Sequence, residues 1–114
     1  MAKNTKPQRS MAMYRAIAAL GDVEECCRFF DDLCTPTELR SMEQRYDVAA
    51  CLLKDQVYAE IQEKTGASSA TISRVRRNIL ESGISGAVRD VILRLEDAQA
   101  PGRADESKEE EPNG

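Results

Sequence analysis

From residue 10 to residue 98 the apolar side chains return every third or fourth position, and no stretch keeps the period-two alternation of a strand. That spacing gathers them on one side of an α-helix, so an all-α domain is expected and the remaining question is where its helices break. The first is predicted from about Ser10 to Leu20, with Met13, Ile17 and Leu20 on one stripe and Gly21 as its stop. Asp22 is placed to cap the second, which has Glu24 and Glu25 in its first turn and Val23, Cys26, Cys27, Phe30 and Leu33 as its apolar set. The sharpest boundary is Thr35-Pro36-Thr37-Glu38: a capping hydroxyl, a proline at the first helical position, and a glutamate three residues beyond the cap. It opens a long helix to about Lys54, expected to bury Leu39, Met42, Tyr46, Ala49, Ala50, Leu53 and their neighbours. A last helix, roughly Ser85 to Ala98, runs through Ala87, Val88, Val91, Ile92 and Leu95.

The two ends differ in composition from this middle. Residues 1–9 are polar and basic, and residues 99–114 combine Pro, Gly and Ser with an acid run. Neither can bury enough apolar surface to order itself, so the chain is read as a disordered basic N-terminus (1–9), a helical domain (10–98) and a disordered acidic tail (99–114). No uncharged apolar run approaches the roughly 20 residues that cross a bilayer, and the basic start leads into no secretory apolar segment. A cytoplasmic protein without a membrane partner is expected. The net charge of −4 says little about the domain, because seven acids and two bases lie from residue 96 onward, a balance of −5 that leaves +1 over residues 1–95.

Chemistry by metal or by acid and base finds little support. Cys26, Cys27, Cys34 and Cys51 show no CxxC spacing and there is no His, so no metal site is expected and the thiols are read as reduced and mostly buried. No nucleophile–base arrangement or phosphate-cradling glycine loop is visible either, and the chain is read as not an enzyme.

The most specific segment is VYAEIQEKTGASSATISRVRRNIL, residues 57–80. A short helix from about Val57 to Lys64 meets Gly66, which can take the positive φ of a tight stop, and Ser68 caps a second helix. Ile72, Val75 and Ile79 recur so as to pack on Ile61 and the preceding long helix, leaving Ser69, Ala70, Ser73, Arg74 and Arg77 on other faces. This is the layout of a helix-turn-helix whose second helix reads DNA. From Gly66 to Leu80 there are three arginines and no acid. The helix N-terminus offers N–H groups to a phosphate, small Ser68 and Ser69 permit close approach, Ala70 suits a thymine methyl, and arginine grips guanine edges or phosphates bidentately. Gln62, one turn before the glycine, is placed to reach phosphate or adenine. The candidate DNA-binding set is therefore Gln62, Ser68, Ser69, Ala70, Thr71, Ser73, Arg74 and Arg77.

DLCTPTEL at 32–39, QRYDVAACLL at 44–53 and EIQEKTGASSATISRVRRNIL at 60–80 resemble the Trp-repressor superfamily, and within it the YerC/YecD-type branch, over about residues 14–95. The resemblance implies a six-helix subunit, an intertwined homodimer and a DNA-binding helix-turn-helix. In the Trp repressor one arginine of the long helix and one of the reading helix hold the corepressor, and Arg45 and Arg74 occupy the matching positions here, with Asn78 in place of a serine that assists the ligand. These three residues define a possible ligand pocket. Val75 stands where that protein has a glycine making room for the indole, so no cofactor is expected and L-tryptophan is not expected to fit. Arg45 is then expected to pair with a carboxylate or a neighbouring carbonyl.

The expected function is a sequence-specific DNA-binding transcriptional regulator, a repressor, acting as a homodimer on double-stranded DNA. The alternative is a module of the same fold that binds a protein partner and has no specific DNA recognition. The apolar first, second and last helices, on a chain with five aromatics, argue for a partner subunit.

Overall fold

Asp22, Thr35 and Ser68 each begin a helix, as their short oxygen-bearing side chains predict. The computed structural model describes residues 9–81 and 86–99, and among them lie six α-helices and no strand. They are α1 (Met11–Ala18), α2 (Val23–Leu33), α3 (Pro36–Leu53), α4 (Tyr58–Thr65), α5 (Ser69–Val75) and α6 (Ala87–Ala98), with a π-helical stretch, Arg76–Glu81, continuing α5. The proposed acidic tail beyond Gln99, most of the basic N-terminus and the expected start at Ser85 lie outside the described residues.

Two compact units divide at Leu39 and Arg40. The first contains α1, α2 and the first turn of α3. Gly21 does not stop α1 through a left-handed turn as expected; α1 ends at Ala18, and Gly21 instead serves the start of α2. Its N–H donates to Glu25 Oε1 at 2.7 Å, while the Glu25 N–H donates to Asp22 Oδ1 at 2.8 Å. The reciprocal pair at Thr35 and Glu38 forms as predicted, with the Glu38 N–H donating to Thr35 Oγ1 at 3.1 Å and the Thr35 N–H to Glu38 Oε1 at 2.8 Å. Packing in this unit is thinner than the apolar pattern suggests. Val23 and Leu33 are 77% and 54% exposed, and the half-buried pair Phe29 and Phe30 meets edge to face at 5.3 Å.

The second unit holds the core. Val48, Ala49 and Leu52 of α3, Ile61 of α4, Ala67 of the following turn, Ile72 and Val75 of α5, and Ile92 of α6 are buried together. The α3 stripe is rotated from the expected one: Met42 and Tyr46 are exposed, Leu39, Ala50 and Leu53 are half-buried, and Val48 and Leu52 flank Ala49 inside. The C-terminal half of α3 is apolar on nearly every side, so spacing alone cannot choose its buried face. Asp55, at φ 59°, ends α3 in a left-handed turn, its N–H donating to the Leu52 carbonyl at 3.0 Å. A Lys54–Glu96 ion pair at 3.4 Å joins this end of α3 to α6, of which Ile92 is buried while Val88, Val91 and Leu95 are exposed. The widened π-helical turn keeps two consecutive apolar residues, Ile79 and Leu80, against the core. All four thiols are free as expected, but they are not buried: Cys27 is exposed and the other three are half-buried.

Candidate nucleic-acid interface

The junction of α4 and α5 is held by a set of short hydrogen bonds. Gly66, at φ 75°, donates its N–H to the Gln62 carbonyl at 2.9 Å. Thr65 Oγ1 donates to the Ile61 carbonyl at 2.8 Å and accepts the Ala67 N–H at 3.1 Å. The carbonyl of Thr65 accepts from Gln44 Nε2 of α3 at 3.1 Å. Ser68 then caps α5, accepting the Thr71 N–H at 3.1 Å while its hydroxyl donates to Thr71 Oγ1 at 3.2 Å. A turn with its polar groups paired in this way has little freedom to reorient the helix that follows.

Ile72 and Val75 point α5 into the core, as their spacing predicts. What remains outward is Ser68, Ser69, Ala70, Arg74 and Arg77, with Gln62 exposed on α4; Thr71 and Ser73 are half-buried. The exposed face carries no acid between Gly66 and Leu80, and neither Arg74 nor Arg76 enters an ion pair among the described residues. The eight expected residues thus fall on one helix-turn-helix but not with equal access. Ser73 is turned toward Tyr58, its Oγ 3.4 Å from the phenolic oxygen.

On the side of α5 facing α3, Arg45, Arg74 and Asn78 do come together, lining with Thr71, Val75 and Ile79 a cavity of about 150 Å³. Arg45 Nη1 donates to Ser41 Oγ at 3.1 Å, a hydroxyl rather than the expected carboxylate or carbonyl. Ligand sites for drug-sized molecules run to roughly 300–1,000 Å³, larger than this. Val75, 2% exposed, forms part of the cavity wall.

Sequence spacing missed the contacts made here by Gln44, Tyr58 and Arg76. Tyr58 opens α4, and its phenolic oxygen accepts the Nε–H of Arg76 at 3.4 Å while that guanidinium lies 5.6 Å from the ring centroid. The hydrogen bond to Ser73, then that from Arg76, holds the Tyr58 phenol below its ordinary value, and the same Tyr58 contact holds Arg76 above its own. Among the described residues no group of three or more potential ligands could hold a metal ion, and no helix is long and apolar enough to cross a membrane.

Comparison with known proteins agrees with this geometry. A family model described as Trp repressor protein matches residues 8–95. The Bacillus subtilis protein YerC, itself uncharacterized, is 52% identical over 65 residues, which are 57% of this chain and 62% of that protein, so the match spans less than two thirds of its length. A TrpR-like protein from Eubacterium eligens superposes with a TM-score of 0.69 at 41% identity, covering 75% of this chain and 87% of that one. A crystal structure of a candidate Trp repressor from Staphylococcus aureus gives 0.70 at 42% identity over 77% and 89% of the two chains.

Proposed function

The chain belongs to the Trp repressor protein family, a family of regulators with a DNA-binding fold, and from that premise we propose that it is a sequence-specific DNA-binding transcriptional repressor of the cytoplasm. It acts on duplex DNA as a homodimer, each subunit entering a major groove with the N-terminal part of α5. Gln62, Ser68, Ser69, Ala70, Thr71, Ser73, Arg74 and Arg77 are the contact set, the serines and the helix start meeting phosphates and the arginines meeting base edges. The observation that carries this reading is the outward face of α5: small at its start, cationic further on, without an acid, and held by a turn bonded to Gln44 of α3. Two-fold symmetry implies half-sites about one helical turn apart. The exposed apolar residues of α6 support a second subunit, since Val88, Val91, Leu93 and Leu95 keep 37–50% of their surface open to solvent.

The Arg45–Arg74–Asn78 cavity is proposed as a place for an anionic ligand smaller than tryptophan, with the two guanidinium groups as its charge complement. L-tryptophan should therefore leave DNA affinity unchanged.

Selection of bound duplexes from a random pool, followed by titration of the winners and of scrambled duplexes at two salt concentrations, tests the main reading. A symmetric motif, tight binding that falls steeply with salt, and loss of preference in Arg74→Ala and Arg77→Ala are expected. Binding that neither responds to salt nor prefers any sequence would instead favour the module that meets only protein partners.

A further inference from the structure

Beside the reading face lies a cluster of which the contact set uses only Ser73. Ser73 and Arg76, three residues apart and so on the same flank of the helix, both meet Tyr58 at the start of α4. Arginine presents five N–H donors in one plane. Here Nε is taken by the Tyr58 oxygen at 3.4 Å, and the plane is further held by the ring beneath it at 5.6 Å. The two Nη groups, by contrast, make no hydrogen bond or ion pair among the described residues. Glu81 and Asp55 act on the guanidinium from farther off, and neither forms an ion pair with it. An arginine oriented through its Nε and its face, with both terminal amino groups left, has the fork geometry that fits two oxygens of one phosphate. Its side chain is half-buried, so its rotamer freedom is already reduced before any partner arrives.

We propose that Arg76 is a phosphodiester clamp for duplex DNA, positioned by Tyr58, gripping one backbone phosphate next to the bases that α5 reads. The proposal rests on the DNA-binding reading above and adds to it a contact that carries no sequence information. Tyr58 is the positioning residue: it fixes the fork without touching the DNA. Ser73, on the same hydroxyl, ties the clamp to the reading helix, so backbone grip and base reading move as one body.

The test is anisotropy titration of the full chain against a selected and a scrambled duplex over about 50–300 mM salt, with thermal melts to confirm folding of each variant. Arg76→Gln is expected to weaken both duplexes alike, by about five- to tenfold at low salt, and to lower the slope of log affinity against log salt by about 0.9 per subunit. Arg76→Lys should restore most of the slope but not the affinity, because it keeps the charge and loses the fork. Tyr58→Phe keeps the ring and removes the oxygen, and should weaken both duplexes about threefold through the loosened fork. A neutral methylphosphonate at the clamped phosphate should cost the wild type as much as Arg76→Gln does and cost that variant nothing further. An unchanged salt slope in folded Arg76→Gln, or a loss confined to the selected duplex, overturns the clamp while leaving the reading helix intact, provided Arg74→Ala still abolishes preference. If the wild type itself shows no salt-dependent DNA binding, clamp and reading fall together.

Discussion

Gly66 sits at φ 75°, where an added Cβ would meet only Gln44 Nε2 at 3.9 Å, an ordinary contact. The cost of Gly66→Ala is therefore conformational, about 1–2 kcal/mol, and should appear as a lower denaturation midpoint, with Gly66→Asn recovering part of it. Ile61 and Ile72 are fully enclosed, and Ile72→Ala should cost about 2–5 kcal/mol in a urea titration. Tyr58 yields a prediction with a definite sign. Its phenol is held below the ordinary 10.0, first by Ser73 and then by Arg76, so the associated stabilisation is present only above the unfolded value and is lost as pH falls through the folded one. Neutral-pH stability should not depend on this ionisation, and in a spectrophotometric titration Ser73→Ala should move the Tyr58 step upward. The residues that sequence spacing located, Asp22, Thr35, Glu38, Gly66 and Ser68, act on neighbours within four positions. The contacts it missed run across the fold: Gln44 reaches 21 residues and Arg76 reaches 18, distances over which no local rule speaks.

An α-helix read from its punctuation is read well where the punctuation is chemical. Ser68 caps α5, and Ser68→Ala should cost about 1 kcal/mol of stability. Ser68→Asp separates cap from contact: it keeps an acceptor for the Thr71 N–H, so the melt should stay near wild type, while a carboxylate facing phosphates should weaken DNA binding about tenfold or more at low salt. Calorimetry and a binding titration on the same sample distinguish the two effects. The order and number of helices were legible, and so was the inward face of α5, because Ile72 and Val75 alternate with small and charged residues. The face of α3 was not, since Val48, Ala49, Ala50, Cys51, Leu52 and Leu53 follow one another without a polar break, and the choice among them is made by Ile61, Ile72 and Ile92 arriving from later helices. The π-helical stretch also has no sequence signature; the wish of adjacent Ile79 and Leu80 to reach one core becomes visible only once that core exists.

At the scale of the whole molecule, the apolar helices of the sequence reading reappear as exposed side chains, Val23 and Leu33 on α2 and Val88, Val91, Leu93 and Leu95 on α6. If a second subunit covers them, the melting temperature should rise with protein concentration, and Leu95→Glu should shift sedimentation toward the monomer without disturbing the separate cluster around Ile61. The acid-rich segment after Gln99 is proposed as an internal competitor for the cationic face, and removing residues 99–114 should raise DNA affinity most at low salt. The joint by which α3 steadies the reading helix has a consequence for living conditions. Gln44 is an amide, and its partner is a peptide carbonyl, so the bond between them is the same at every acidity a cell visits. Replacing it by glutamate would set acceptor against acceptor except in acid, where a protonated carboxyl could donate again, and would make presentation of α5 depend on protons. In a chain without histidine, the natural amide keeps that hinge deaf to pH.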